Sequence, residues 1–134
     1  MPRSDTLADP IYFVDRSLGG KFVAAALRAA GAEVVVHDDV FAQNAIDVEW
    51  LAEAGRRGWV VLTKDSAIRR NPHEKAMFRE ARVRVFALSR KDLSGQEMAE
   101  LFVKALPGMK KRAATIAPPF VFSIARSGAF TRLE

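Results

Sequence analysis

Short apolar runs recur along this chain, and each is separated from the next by a longer stretch of mixed polarity. Such runs are too short for a buried helix, and their continuous apolar character is typical of strands covered on both faces of a sheet. The runs lie at residues 11–14, 33–36, 59–63, 83–88 and 120–124. The sequence therefore predicts strands that are mostly interior and parallel.

Apolar residues at helical spacing occupy the stretches between these runs. The predicted helices cover residues 21–30, 47–57, 72–82 and 94–106. In the first helix, the residues at helical spacing form the predicted apolar face, and they are Phe22, Val23, Ala26, Leu27 and Ala30. Pro107 and Gly108 are expected to end the last helix. A basic linker then leads to the final run, which is expected to be the edge strand.

Strands joined by helical crossovers form a mainly parallel, doubly wound sheet with helices on both faces. The expected fold is thus a three-layer α/β/α sandwich, formed by a single domain at residues 11–134. Residues 1–10 are polar and are expected to form a flexible N-terminal extension rather than a signal peptide. No run is long enough to span a membrane, and the absence of cysteine excludes disulfides and cysteine nucleophiles. We therefore expect a cytoplasmic protein.

Positive charge exceeds negative charge, with 21 lysine and arginine residues, 16 acidic residues and a net charge of +5. One basic group surrounds Asp65 and consists of Arg56, Arg57, Lys64, Arg69 and Arg70. Basic side chains attract the phosphates of nucleic acids. Arginine and lysine also serve to solubilise exposed helices, so this alternative stays open. Trp50 and Trp59 lie at apolar-periodic positions and are expected in the core rather than stacked on bases.

Three aspartates are expected at one edge of the sheet. Asp15 and Asp65 end the first and third predicted strands, and Asp47 begins a helix that returns from the same edge. Like charges held together raise each other's pKa unless a cation lies among them. A divalent metal ion that assists cleavage of a phosphodiester explains such a cluster. The competing explanations are a turn aspartate at Asp15 and a helix N-cap at Asp47.

With these residues in place, the chain resembles the PIN-like domain superfamily, and among its members the small VapC-type toxins of bacterial toxin–antitoxin pairs. The resemblance spans about residues 11–90 and rests on the order and spacing of short motifs. The motifs are Tyr-Phe-Val-Asp-Arg-Ser-Leu-Gly at 12–19, Asp-Val-Glu-Trp at 47–50, Gly-Trp-Val-Val-Leu-Thr-Lys-Asp at 58–65, Ile-Arg-Arg-Asn-Pro at 68–72 and the apolar run at 83–88.

The resemblance implies an endoribonuclease that depends on Mg²⁺ or Mn²⁺, with RNA as substrate and an antitoxin protein as partner. It implies that Asp15, Asp47 and Asp65 are the catalytic and metal-binding carboxylates. Members of the superfamily often carry a fourth acid shortly after the last aspartate. Ser66 and Ala67 occupy that region here, so a complete two-metal site is not expected.

Contacts to RNA phosphates are expected from basic residues near the last aspartate. The candidates are Lys64, Arg69 and Arg70. Phe120, Val121 and Phe122 are candidates for an exposed dimer or antitoxin interface, with an ordinary edge strand as the simpler explanation.

Two other functions are alternatives to the nuclease. One is a PIN-like module that only binds RNA or protein, which the absence of the fourth acid favours. The other is a phosphorelay receiver domain, which carries acids at the same edge of a doubly wound sheet. Receivers need an acidic pair after the first strand, whereas Arg16 follows Asp15.

Overall fold

The computed structural model describes residues 9–19, 21–42, 47–64, 70–90 and 92–134. The strands are β1 (Ile11–Val14), β2 (Glu33–Val36), β3 (Val60–Thr63), β4 (Arg84–Leu88), β5 (Phe120–Ile124) and β6 (Phe130–Arg132). The helices are α1 (Phe22–Ala29), α2 (His37–Val40), α3 (Asp47–Arg57), α4 (Pro72–Glu80) and α5 (Gly95–Thr115). None of these helices is both long enough and apolar enough to span a membrane. Most of the predicted N-terminal extension lies outside the described residues.

The strands form one sheet in the order β2-β1-β3-β4-β5-β6. All neighbours pair in parallel except β5 and β6, which are antiparallel. The mainly parallel, doubly wound sheet is therefore confirmed. The prediction that the 120–124 run is the edge strand was wrong, because the chain reverses near Gly128 and β6 covers it.

Helices cover both faces of the sheet, as the sandwich requires. On one face, α1 and α5 pack on a core that includes Tyr12, Val14 and Leu62. On the other face, α3 and α4 pack on a core that includes Phe13 and Val61. This division follows from the pleat, because successive residues of a strand point to opposite faces.

Two local predictions were wrong. Helix α5 continues through Pro107, although proline removes a helix hydrogen bond. Burial of Ala105 and Met109 on either side of Pro107 offsets that loss. Phe120, Val121 and Phe122 are buried and therefore present no exposed interface.

Phe22 was also predicted wrongly, because its side chain is 61% exposed instead of facing the core. Phe22 is the first residue of α1, and the buried residues of this helix begin only at the next position. Val23, Ala24 and Leu27 form the buried side of that helix. The aromatic ring is thus left at the protein surface near the carboxyl edge of the sheet.

Gly55 allows α3 and α4 to approach each other closely. A Cβ atom at this position would lie 2.2 Å from the backbone oxygen of Ala81 and 2.5 Å from its Cβ. A backbone oxygen at the end of a packed helix cannot move aside as a flexible side chain does. Glycine is therefore required here by space rather than by its dihedral angles.

We predict that Gly55→Ala lowers the free energy of unfolding by about 1–3 kcal/mol, the usual cost of overpacking. The higher helix propensity of alanine, worth roughly 0.5–1 kcal/mol, does not offset a contact this short. Urea denaturation followed by circular dichroism measures the change. Ala52→Ser on the same helix is the control, and a Gly55→Ala variant as stable as wild type would contradict the prediction.

Candidate active site at the carboxyl edge of the sheet

Asp15 stands directly after β1 and is nearly buried, with 9% of its surface exposed. Its backbone N–H donates to the carbonyl oxygen of Leu62 at 3.0 Å, which fixes the residue to the neighbouring strand β3. Its Oδ2 atom accepts hydrogen bonds from Ser17 Oγ and from Thr63 Oγ1, both at 2.8 Å. Asp15 is therefore more than a turn aspartate that bonds its own loop.

Ser17 and Thr63 join the two strand ends that carry the predicted acids. Their hydroxyl oxygens lie 3.0 Å apart, and Ser17 Oγ also accepts a hydrogen bond from the backbone N–H of Lys64 at 3.2 Å. Thr63 is 1% exposed, so its hydroxyl is held away from solvent. The network fixes the orientation of the Asp15 carboxylate relative to the start of the loop after β3.

Neither hydroxyl residue was predicted from the sequence as part of the site. Each stands two positions from a predicted acid, Ser17 after Asp15 and Thr63 before Asp65. A hydroxyl at such a spacing in a turn or at a strand end is common, which makes the signal weak without the fold. The parallel pairing of β1 with β3 is what brings the two hydroxyls onto one carboxylate.

Asp47 reaches the same edge on the face of the sheet that α3 and α4 cover. It is the first residue of α3 rather than the cap before it, and its Oδ1 accepts a hydrogen bond from Trp50 Nε1 at 2.9 Å. The Trp50 ring stacks on Phe13 with 5.4 Å between ring centroids. Phe13 precedes Asp15 by two residues in the extended chain, so these contacts hold both acidic residues at one end of the same face.

Trp50 and Trp59 are core residues, as predicted, with 2% and 4% of their surfaces exposed. Phe13 lies between them, stacked on Trp59 at 5.3 Å with the two rings nearly parallel. His37 is fully buried and packs beside Phe13 and Phe41, which indicates a structural role for its side chain. This aromatic cluster supports the edge at which Asp15 and Asp47 lie.

Two of the predicted site residues, Asp65 and Arg69, lie outside the described residues, as do Ser66 and Ala67. Within the part of the chain that the structure describes, no three histidine or acidic side chains gather as a metal-binding group. The structure therefore gives positions for Asp15 and Asp47. The position of the third carboxylate, Asp65, stays a prediction.

The oxygen atoms around Asp15 fit a hard divalent cation. Such ions prefer carboxylate, hydroxyl and water oxygens. Oδ2 of Asp15 holds both hydroxyl hydrogen bonds, whereas Oδ1 accepts none from the residues that the structure describes. One oxygen of a positioned carboxylate is thus left for a ligand.

The basic residues predicted near Asp65 divide into two groups. Arg56 and Arg57 both form ion pairs with Glu53, and their hydrogen bonds lower the pKa of this carboxyl to about 2. Because both arginines share this single carboxylate, it offsets half of their combined charge on the surface of α3. Arg70 is exposed just before α4, and Lys64 follows β3 at the site edge.

A cleft of about 610 Å³ opens beside Ser17 and includes Lys64 in its wall. We call it the basic cleft and define it by Arg16, Lys21, Phe22, Lys64, Leu93 and Met98. Ser17 also lines the cleft and hydrogen-bonds Asp15, so the cleft is one residue away from the Asp15 carboxylate. The arrangement combines an oriented carboxylate with a cationic groove next to it.

We predict that Thr63→Val lowers the free energy of unfolding by about 1.5–3 kcal/mol, the usual value of a hydrogen bond to a charged group. The change removes a buried donor and leaves the Asp15 carboxylate with fewer partners. Denaturant unfolding without added metal measures the loss, and Thr63→Ser should keep most of the stability. Thr115→Val is the control, because that hydroxyl bonds the Lys111 carbonyl at an exposed helix end. Equal losses at the two positions would contradict the prediction.

Comparisons with known proteins agree with this geometry. A family model described as "PIN like domain" matches residues 10–90, more than half of the chain. The chain is 32% identical over 128 residues to a protein of Mycobacterium tuberculosis (strain ATCC 25618 / H37Rv) named "Putative ribonuclease VapC45", and the alignment covers 92% of each chain. No solved structure shows a significant match. The chain thus belongs to the PIN-like domain family, with a VapC-type protein among its relatives.

Proposed function

We propose that this protein is a divalent-metal-dependent endoribonuclease and the toxin of a toxin–antitoxin pair. The observation that carries the proposal is the Asp15 carboxylate, which is nearly buried at the carboxyl edge of the sheet and held by two hydroxyl groups while Oδ1 accepts no described hydrogen bond. Family membership and the relative named as a ribonuclease support the reaction class.

Asp15, Asp47 and Asp65 are the proposed ligands of Mg²⁺ or Mn²⁺. A bound divalent ion supplies Lewis-acid stabilisation of the scissile phosphate and a more acidic water nucleophile. Ser17 and Thr63 hold the Asp15 carboxylate in place, and the Trp50 indole holds that of Asp47. The role of Asp65 rests on the resemblance of the Thr63-Lys64-Asp65 motif.

Lys64, Arg69 and Arg70 are the proposed contacts to RNA phosphates. Lys64 has the strongest structural support, because its backbone is hydrogen-bonded to Ser17 and it lines the basic cleft. Arg70 stands next to the N-cap of α4 at the surface. Arg69 is proposed from the sequence motif alone.

A cognate antitoxin is the proposed protein partner. Inhibition requires that the partner cover the acidic edge or insert a basic side chain there, since the carboxylates attract a cation. A homodimer is also proposed, but without a defined interface. The strand predicted to form one, β5, is buried. We propose the cytoplasm as the location of this activity, because the proposed substrate is RNA.

We predict that the purified protein cleaves RNA with Mg²⁺ or Mn²⁺ and that EDTA abolishes cleavage. Asp15→Asn should lower the rate by at least about 100-fold. Loss of a residue that only hydrogen-bonds a metal ligand costs about 10–100-fold, and loss of the ligand itself should cost more. Gel analysis of a labelled RNA measures the rate. Asp9→Asn is the control, since that exposed carboxylate pairs with Lys110 near the start of β1.

RNA binding without cleavage in all metal conditions would contradict the nuclease and favour the binding-only alternative. Equal activity of Asp15→Asn and wild type would contradict the assigned role of Asp15. Cleavage that persists in EDTA and in the variant would indicate a contaminating nuclease and would give no support to the proposal.

We predict that expression without an antitoxin inhibits bacterial growth and that Asp65→Asn removes the inhibition. The change keeps the size of the side chain and removes the charge that a divalent ion needs. Growth curves after induction measure the effect, with immunoblots to show equal protein levels. Undiminished inhibition by the variant would contradict the role of Asp65.

A further inference from the structure

Phe22 is the feature of the carboxyl edge that the proposed catalysis does not use. Its ring is 61% exposed, whereas other large apolar side chains in the described chain are buried or half-buried, apart from Val40. A Cβ built at Gly95 would lie 2.7 Å from Phe22 Cδ2, so the ring rests against the backbone at the start of α5. One part of the ring is therefore supported and the rest faces solvent.

The surroundings of this ring are cationic. Arg16, Lys21 and Lys64 line the basic cleft together with Phe22. No acidic side chain of the described residues lines it. A solvent-facing aromatic ring among cations is the arrangement with which proteins bind single-stranded nucleic acid, because the ring stacks on a base while the cations contact phosphates.

We propose that the basic cleft is a binding subsite for single-stranded RNA, in which an unpaired base stacks on Phe22 and the adjacent phosphates contact Lys21 and Lys64. This inference rests on the proposed function, since it supplies the substrate segment next to the cleavage site. Ser17 links the basic cleft to the acidic edge, because it lines the cleft and donates a hydrogen bond to Asp15. We therefore expect the phosphodiester that reaches the carboxylates to belong to the strand bound on Phe22.

The structure favours an unpaired strand over a duplex. In a duplex each base is already stacked between neighbours, so the ring has no free base face to contact. It also favours nucleic acid over a protein partner. Three basic side chains line the same cleft as the exposed ring. A docking helix needs several adjacent exposed apolar residues, whereas Leu18 and Met98 in the cleft wall are buried.

The first test measures RNA affinity in EDTA, so that no cleavage contributes to the signal. The probe is a short fluorescein-labelled single-stranded oligoribonucleotide, and anisotropy gives the Kd. Phe22→Ala should weaken binding by roughly 5- to 150-fold, the cost of one lost stacking contact. Phe22→Tyr should bind like wild type, and Phe22→Leu should bind nearly as weakly as Phe22→Ala, since leucine keeps apolar contact without a flat ring.

Val40→Ala is the matched control, because Val40 is the other exposed large apolar residue and lies on α2, away from the basic cleft. It should bind like wild type. Circular dichroism and melting temperatures test whether each variant is folded. Both side chains are exposed, so we expect their replacement to leave the fold intact. The same strand annealed to its complement should show little dependence on Phe22.

A second test measures the salt dependence of binding. Lys21→Ala should reduce the slope of log K against log salt concentration by about 0.7, the value of one phosphate contact on a single strand. Lys111→Ala is the control, since it removes the same charge from the exposed far end of α5. Equal slopes for Lys21→Ala and wild type would overturn the role of Lys21.

Failure of this inference is distinct from failure of the proposed function. Metal-dependent cleavage by the wild type, combined with equal RNA affinities of wild type, Phe22→Ala and Phe22→Leu, would overturn the subsite and leave the nuclease intact. Binding that depends on Phe22, in a protein that never cleaves RNA, would support the subsite and overturn the nuclease.

Discussion

The parallel pairing of β1 with β3 is the constraint on which the candidate site depends. Its last hydrogen bond runs from the Asp15 N–H to the Leu62 carbonyl, one residue beyond β1. This bond brings Thr63 against the Asp15 carboxylate, and Ser17 then closes the network from the following turn. A shift of register by one residue would turn Thr63 to the opposite face and leave a nearly buried carboxylate without its donors.

The same pairing also determines how the second carboxylate is presented. Phe13 lies on the face of the sheet that α3 covers, between the rings of Trp50 and Trp59. Because Trp50 donates its indole N–H to Asp47, the packing of the core and the orientation of this acid are coupled. The opposite face supports a different feature, since α1 and α5 pack there and leave Phe22 against Gly95 at the mouth of the basic cleft.

Prediction from sequence succeeded where a local pattern has one physical explanation. The apolar runs at β1 and β2 were predicted with the bounds that the structure has, and so was α3. It failed where packing outweighs a local preference. Pro107 normally ends a helix, yet buried neighbours carry α5 past it. Phe22 fits the apolar periodicity of α1, but its place at the first helical residue leaves it exposed.

The sequence by itself determined the layers, the parallel sheet, the family and the aspartates to consider, because strand runs, helical periodicity and motif order are all local in the chain. Which groups meet those aspartates was a matter of tertiary structure. Ser17 and Thr63 are 46 residues apart and contact each other only because two strands pair in register. The exposure of Phe22 likewise depends on how α1 meets α5, and no pattern within either helix records that contact.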